Sequence, residues 1–343
     1  MRLSENISLK TYNTFGIDVI ARYFSSFDST ESLIELLEFA ASKEVKHKLI
    51  LGGGSNLLFT ENVDGIVLHN CIGGIELLSE DVASVRIKVG AGENWHRFVL
   101  YCVENGWAGI ENLSLIPGNV GASPMQNIGA YGVEVQEVIE EVEVWSLDEQ
   151  KKMRFSKKDC AFGYRESIFK RALKGRVVIL SVVFRLFKIP TFRTEYGAIQ
   201  QELDKMNLEK LTIKAVSDAV IRIRSSKLPD PAVIGNAGSF FKNPTVSAAT
   251  YHQLKTAFPG LVAYELADGH YKLAAGWLIE QCGWKGYRKG DAGCHAQQAL
   301  VLVNYGNAKG KEIVELSGAI ADSIHRRFGV LLEREVNLFP PID

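Results

Sequence analysis

The 343 residues carry 39 Lys and Arg against 40 Asp and Glu, a formal net charge of −1, with 46% hydrophobic and 23% charged residues. That balance is ordinary for a globular protein and is long enough for two or three domains with cores of their own. There is no basic block or aromatic-basic stripe, which makes nucleic acid a poor candidate partner, and no run approaches the ~18 apolar residues of a membrane helix.

The first residues, Met1-Arg-Leu-Ser-Glu-Asn-Ile, lack the basic start and apolar core of a signal peptide, so a cytoplasmic location is expected. Cys71, Cys102, Cys160, Cys282 and Cys294 form no Cys-x-x-Cys pair and are odd in number, as free thiols in a reducing compartment would be. The histidines show no His-x-x-x-His spacing, and no metal site is expected.

Thr14-Phe-Gly16 leads into alternating, aromatic residues that predict a short strand. Over residues 30–43, Leu33, Leu36, Leu37 and Ala40 fall on one face of a helix. Residues 48–51 are a short apolar strand that runs straight into Gly52-Gly-Gly-Ser-Asn56. Such a turn points several backbone N–H groups at one spot, which suits a phosphate, although no Gly-Lys-Ser/Thr follows and it is not a Walker motif.

Val85, Ile87 and Val89 alternate with Arg86 and Lys88 in a strand ending at Gly90-Ala-Gly92, and a helix carrying Trp95, Phe98, Val99 and Cys102 follows, stopping at Gly106. Trp95 stands where a dinucleotide fingerprint needs its third glycine, so Gly90 and Gly92 read as turn residues. Residues 116–132, Ile-Pro-Gly-Asn-Val-Gly-Ala-Ser-Pro-Met-Gln-Asn-Ile-Gly-Ala-Tyr-Gly, have no regular period. A structureless run of that length inside a compact domain is usually functional, and its small residues suit backbone laid against a flat or phosphorylated ligand.

Residues 138–146 and 177–187 read as strands, with Phe162-Gly-Tyr-Arg-Glu-Ser-Ile-Phe-Lys170 between them. Taken alone, Arg165 is a solvated cation paired with Glu166 or another acid. A helix over 212–224 buries Ile213, Val216, Val220 and Ile223 and ends before Lys227-Leu-Pro-Asp-Pro231. Gly235-Asn-Ala-Gly-Ser-Phe-Phe-Lys-Asn-Pro244 then reads as a loop, too rich in glycine for a helix or a buried strand, offering Ser239, Lys242 and Asn243 to a ligand or forming a plain turn. Helices are predicted over 247–258, 273–281 and 310–328, and a last strand over 330–336 sets Glu333 and Glu335 on one face without saying which serves a site.

In order and over nearly the whole chain, Asn13-Thr-Phe-Gly16, Leu51-Gly-Gly-Gly-Ser-Asn56, the 116–132 loop, the Tyr164-Arg165 stretch, Lys227-Leu-Pro-Asp-Pro231, the Gly235 stretch and Glu333-Arg-Glu-Val336 resemble the UDP-N-acetylenolpyruvoylglucosamine reductase family. These are flavoenzymes that complete UDP-N-acetylmuramate in bacterial peptidoglycan synthesis. An extra segment bearing Tyr196 resembles the longer of the family's two subtypes.

The resemblance implies an α+β chain with an FAD-binding fold of the vanillyl-alcohol-oxidase type. FAD-binding subdomains are expected at 1–70 and 71–225, a substrate-binding domain at 226–330 and a C-terminal strand at 331–343 returning to the active site. Non-covalent FAD would lie on Gly52, Gly53, Gly54, Ser55, Asn56, Leu57, Ser123, Pro124, Ile128, Gly129, Ala130 and Arg224. NADPH would reduce it and then give way, in the same pocket, to UDP-N-acetylglucosamine enolpyruvate.

By the same resemblance, Tyr164, Tyr196, Lys227, Asn243, Tyr264 and Gln298 fall on substrate-binding positions. Arg165 and Glu335 fall on those that stabilise an enolic intermediate, and Ser239 on the proton donor. A serine hydroxyl is a very weak acid, so hydrogen-bonded neighbours are needed, and Lys242 is expected to be one. Ala296 departs from the basic residue expected there, which weakens the case for Gln298. The chain is expected to act as a monomer without membrane insertion.

Overall fold

The computed structural model describes residues 3–43, 45–206 and 208–341. They divide into two compact units. The first is chiefly Arg22–Gly53 and Asp64–Ser226, and the second joins Ile7–Ala21, Gly54–Val63 and the chain from Lys227 onward.

The first unit holds two sheets. One has the strand order Ser4–Ser8, Ile20–Phe27, Val63–Asn70, His47–Leu51, the last two parallel. The helix Thr30–Ser42 starts on a capping box in which Ser29 and Ser32 bond each other's backbone N–H. It buries Leu33, Leu36 and Ala40 among Tyr23, Phe27, Ile66 and Leu68 of that sheet and Val178 and Leu180 of the other. The other sheet is antiparallel, in the order Lys151–Ser156, Ile139–Ser146, Val177–Phe187, Ser84–Gly90, Ile75–Glu80. The helix Trp95–Glu104 covers its second face through Trp95, Phe98, Val99 and Cys102.

Gly90 and Gly92 are packing glycines. A Cβ at Gly90 would come within 2.4 Å of the Ile72 carbonyl oxygen, and one at Gly92 within 2.6 Å of the Cys71 carbonyl carbon. After residue 190, the helix Ile199–Lys205 packs Ile199 and Leu203 onto Ala215, Ala219, Val220 and Ile223 of the helix Ile213–Lys227. That helix runs three residues beyond its predicted end, to Lys227.

In the second unit two expectations are corrected. Gly235–Ser239, read as a loop, is a strand antiparallel to Val301–Asn304, with a register shift between Asn236 and Ser239. Its glycines serve close approach: a Cβ on Gly235 would lie 2.1 Å from the Phe15 carbonyl oxygen. Gly235→Ala is therefore expected to cost roughly 2 kcal/mol of stability, as overpacking against rigid backbone does. Denaturant unfolding checks this, and an unchanged midpoint would refute it.

The last strand is Asn337–Phe339, parallel to Leu57–Phe59, and not 330–336. Residues 333–335 pair only locally, through Lys242 N–H to the Glu333 carbonyl (2.9 Å), Glu335 N–H to the Phe240 carbonyl (2.8 Å) and a bridge between Phe241 and Arg334. The helix Gly310–Phe328 buries Ile313, Leu316, Ile320 and Ile324 and stops at Gly329 in the left-handed conformation. Among the described residues, no helix is long and apolar enough to cross a membrane.

Candidate active site

The sequence-predicted residues are distributed over both units. In the first, Gly53 lies against the 116–132 loop so closely that a Cβ would meet Gly118 Cα at 2.8 Å. The loop itself folds back in a short turn, Val120–Ala122, and a two-stranded ribbon of Gly129–Ala130 with Val133–Glu134. Ser123, Pro124 and Ile128 are buried. Ser123 Oγ has no hydrogen-bond partner among the described residues.

Arg224, from the helix Ile213–Lys227, is half-buried and donates from Nε to the Leu115 carbonyl at 3.2 Å. Burial lowers its pKa from the ordinary arginine value, with Tyr131 acting in the opposite sense. No carboxylate of the described residues forms an ion pair with it, so it can still serve an anion.

Tyr164 and Arg165 form the tip of a tight turn closed by two bonds between Gly163 and Glu166, of 3.0 and 3.1 Å. Arg165 takes a left-handed φ of 56°, a strain that recurs at functional sites. Its Nη2 donates to the Gly129 carbonyl at 2.8 Å, which fixes the guanidinium beside the loop, and its Cζ lies 5.3 Å from the centre of the Tyr164 ring. Glu166 pairs with Arg171 at 2.9 Å. Tyr196 is exposed, beside Gly132.

In the second unit, Gly54 has φ 61°, and a Cβ there would sit 2.1 Å from the Tyr12 carbonyl oxygen. Thr14 N–H donates to the Gly54 carbonyl at 3.1 Å, while the Thr14 carbonyl accepts Asn236 N–H at 3.0 Å. Asn13 stiffens this segment with side-chain bonds to the Leu9 and Ile17 carbonyls and from Ile17 N–H. The Asn13-Thr-Phe-Gly16 motif thus holds both the glycine turn and the Gly235 strand.

Ser239 is exposed, next to Gly238 at φ 70°, and the Asn236 side chain bonds Gly238 N–H, the Pro229 carbonyl and the Ile234 carbonyl. Glu335 lies on the neighbouring segment, where its backbone also accepts Asn56 Nδ2 at 3.3 Å. The local pairing sets Lys242, Glu333 and Glu335 on one face, and Lys242 Nζ is 2.5 Å from Glu333 Oε1. Lys242, expected beside the serine, therefore has a carboxylate partner in Glu333.

Asn243 Oδ1 accepts Ala275 N–H at 2.9 Å, and Gln298 Oε1 approaches Gly276 on the same helix turn. Tyr264 and Lys227 are exposed. Asn13, Thr14 and Asn236 were not singled out as site residues from sequence. Their signal was the paired polar residue and glycine in Asn-Thr-Phe-Gly and Gly-Asn-Ala-Gly.

Residues 21–150 match the model of an FAD binding domain, and residues 230–339 match that of the UDP-N-acetylenolpyruvoylglucosamine reductase C-terminal domain. A protein of that reductase name from Amoebophilus asiaticus is 54% identical, covering 98% of this chain and 99% of its own. The chain belongs to the UDP-N-acetylenolpyruvoylglucosamine reductase family. The reductase of Pseudomonas savastanoi pv. phaseolicola is 50% identical over 99% of both chains. The solved reductase structure from Thermus caldophilus covers 99% of this chain and all of its own, at 25% identity and a TM-score of 0.66.

The family is one of flavoenzymes, and FAD is the cofactor of the 21–150 domain. The residues present fit it. A fully buried, unpartnered Ser123 hydroxyl costs about 1–3 kcal/mol unless a ligand meets it. Arg224 supplies a cation without a carboxylate, and glycines line the turn at 52–54.

Proposed function

We propose that the chain reduces UDP-N-acetylglucosamine enolpyruvate to UDP-N-acetylmuramate with NADPH, and that Arg165, Glu335 and Ser239 act on the enolpyruvyl group. The observation that carries the assignment of Ser239 and Glu335 is the bond from Glu335 N–H to the carbonyl of Phe240, the residue after Ser239, with the Glu335 carbonyl in turn holding Asn56 of the glycine turn. FAD, when bound, would supply the hydride chemistry, with NADPH as the reductant.

An enolpyruvyl ether is electron-rich, so hydride addition at its methylene carbon requires the conjugated carboxylate to take up charge. Arg165 presents a fixed guanidinium fork for that carboxylate, and Glu335 stabilises the enolic form with it. Ser239 Oγ–H gives its proton to the neighbouring carbon, and its exposure lets solvent restore that proton. Gly52–Leu57 and the loop residues Ser123, Pro124, Ile128, Gly129 and Ala130 bind the cofactor, with Arg224 on an anionic group. Tyr164, Tyr196, Lys227, Asn243, Tyr264 and Gln298 bind the sugar nucleotide, and NADPH uses the same pocket in turn.

Lys242, paired with Glu333, holds a positive charge on the segment that follows Ser239 and so supports the acid. Lys242→Met is expected to slow substrate reduction on the order of tenfold, the worth of one charge-assisted bond. A single-turnover rate equal to that of the parent removes Lys242 from the mechanism. The function as a whole is tested by NADPH consumption in the presence and absence of the enolpyruvyl substrate. Consumption that needs the substrate and yields UDP-N-acetylmuramate supports it, whereas consumption driven by oxygen alone, or none, overturns it.

A further inference from the structure

The 116–132 loop is held at its base by groups that the roles above leave out. Leu115 and Tyr131 both take left-handed backbone, φ 58° and 49°, which side-chain-bearing residues keep only where their surroundings hold them. Leu115 is held at both of its backbone groups. Its N–H donates to His96 Nδ1 at 3.0 Å, and its carbonyl accepts Arg224 Nε at 3.2 Å. The Tyr131 side chain faces the same guanidinium and acts on it electrostatically, while its carbonyl accepts Asn112 Nδ2 at 3.1 Å.

One cation therefore holds one end of the loop and faces the other. The helix that carries it makes a second tie, Ser217 Oγ to Ser114 Oγ at 2.8 Å. Ser217 and Arg224 are seven residues apart, on one face of that helix. His96, from the first turn of the helix Trp95–Glu104, is what holds the donor side of Leu115.

We propose that His96 is a positioning residue for FAD: its Nδ1 fixes Leu115 in the left-handed conformation that presents the Leu115 carbonyl to Arg224, and so sets the cofactor loop. The bond needs the tautomer with the proton on Nε2, because a charged ring donates from both nitrogens and would face the Leu115 N–H with another donor. Partial burial and the facing Arg224 cation lower the His96 pKa, which keeps the acceptor in place at neutral pH.

The inference rests on the FAD reading, and its test separates the two. Apoprotein of the parent and of His96→Asn, His96→Gln and His96→Leu is titrated with FAD by flavin fluorescence, and the thermal midpoint of each apo form is taken alongside. Asparagine Oδ1 sits one bond beyond Cγ, as Nδ1 does, whereas the glutamine amide, the nearer match in length to Nε2, does not reproduce that acceptor.

The leucine and glutamine variants are expected to raise the FAD Kd on the order of tenfold. The asparagine variant is expected to stay within about twofold of the parent, at similar apo midpoints. FAD affinity at the parent value in the leucine variant, or equal losses in the asparagine and glutamine variants, overturns the positioning role. The asparagine-against-glutamine comparison decides it even where the leucine variant fails to fold. A parent apoprotein that takes up no FAD overturns the cofactor reading itself.

Discussion

Ser239→Ala is expected to leave the NADPH-driven bleaching of the flavin band unchanged and to slow its return on addition of enolpyruvyl substrate by about 10³-fold, the middle of the range for a general acid. The separation follows from where the serine sits. It is exposed on the Gly235–Ser239 strand, away from the buried packing of Phe240 and Phe241, so removing one oxygen leaves the fold and the cofactor turn intact. The fold is checked by an unchanged unfolding midpoint. Rapid-mixing spectroscopy of the two half-reactions measures the effect. Equal slowing of both halves would assign Ser239 to binding, and no slowing would remove it from the reaction.

The second large effect concerns charge. Arg165→Met is expected to reduce substrate turnover by about 10²- to 10³-fold, as losing one preorganised group aimed at developing charge does. Arg165→Lys is expected to recover only part, because an ammonium keeps the charge but not the two-pronged donor geometry. The structure gives this residue a strained backbone and a bond to the Gly129 carbonyl, so its guanidinium is oriented before substrate arrives. Single-turnover rates of the three forms provide the check. A lysine form as fast as the parent would reduce the role of Arg165 to simple charge.

Much of the fold was legible because burial imposes a period. Ile313, Leu316, Ile320 and Ile324 mark the helix Gly310–Phe328 from spacing alone, and the apolar run of Val177–Phe187 marks a central strand. What escaped was backbone meeting backbone. Gly235–Ser239 looks like a loop because composition cannot tell a glycine that turns from one that lets Phe15 approach. The strand Val63–Asn70 carries a glycine of the same kind: a Cβ on Gly65 would stand 2.0 Å from the His47 carbonyl oxygen of its parallel neighbour.

The site was legible as motifs and not as an arrangement. Ser239, Arg165 and Glu335 were named from sequence through their motifs, but the side chains that organise their surroundings act across long separations. Thr14 reaches Gly54 and Asn236, and His96 reaches Leu115. Such bonds join one polar atom to one backbone group and leave no period to read. The final segment was displaced for a related reason. Alternation at 330–336 fits a strand, yet the ladder forms directly after it, where Asn337–Phe339 finds the open edge of Leu57–Phe59.

The most direct test is the visible spectrum of the purified protein under anaerobic conditions, first with NADPH and then with UDP-N-acetylglucosamine enolpyruvate. A flavin band that bleaches with NADPH and returns on adding the enolpyruvyl nucleotide is expected, with UDP-N-acetylmuramate as the product. A band that bleaches and stays bleached would contradict the substrate, and no flavin band even after FAD is supplied would contradict the cofactor on which the account depends.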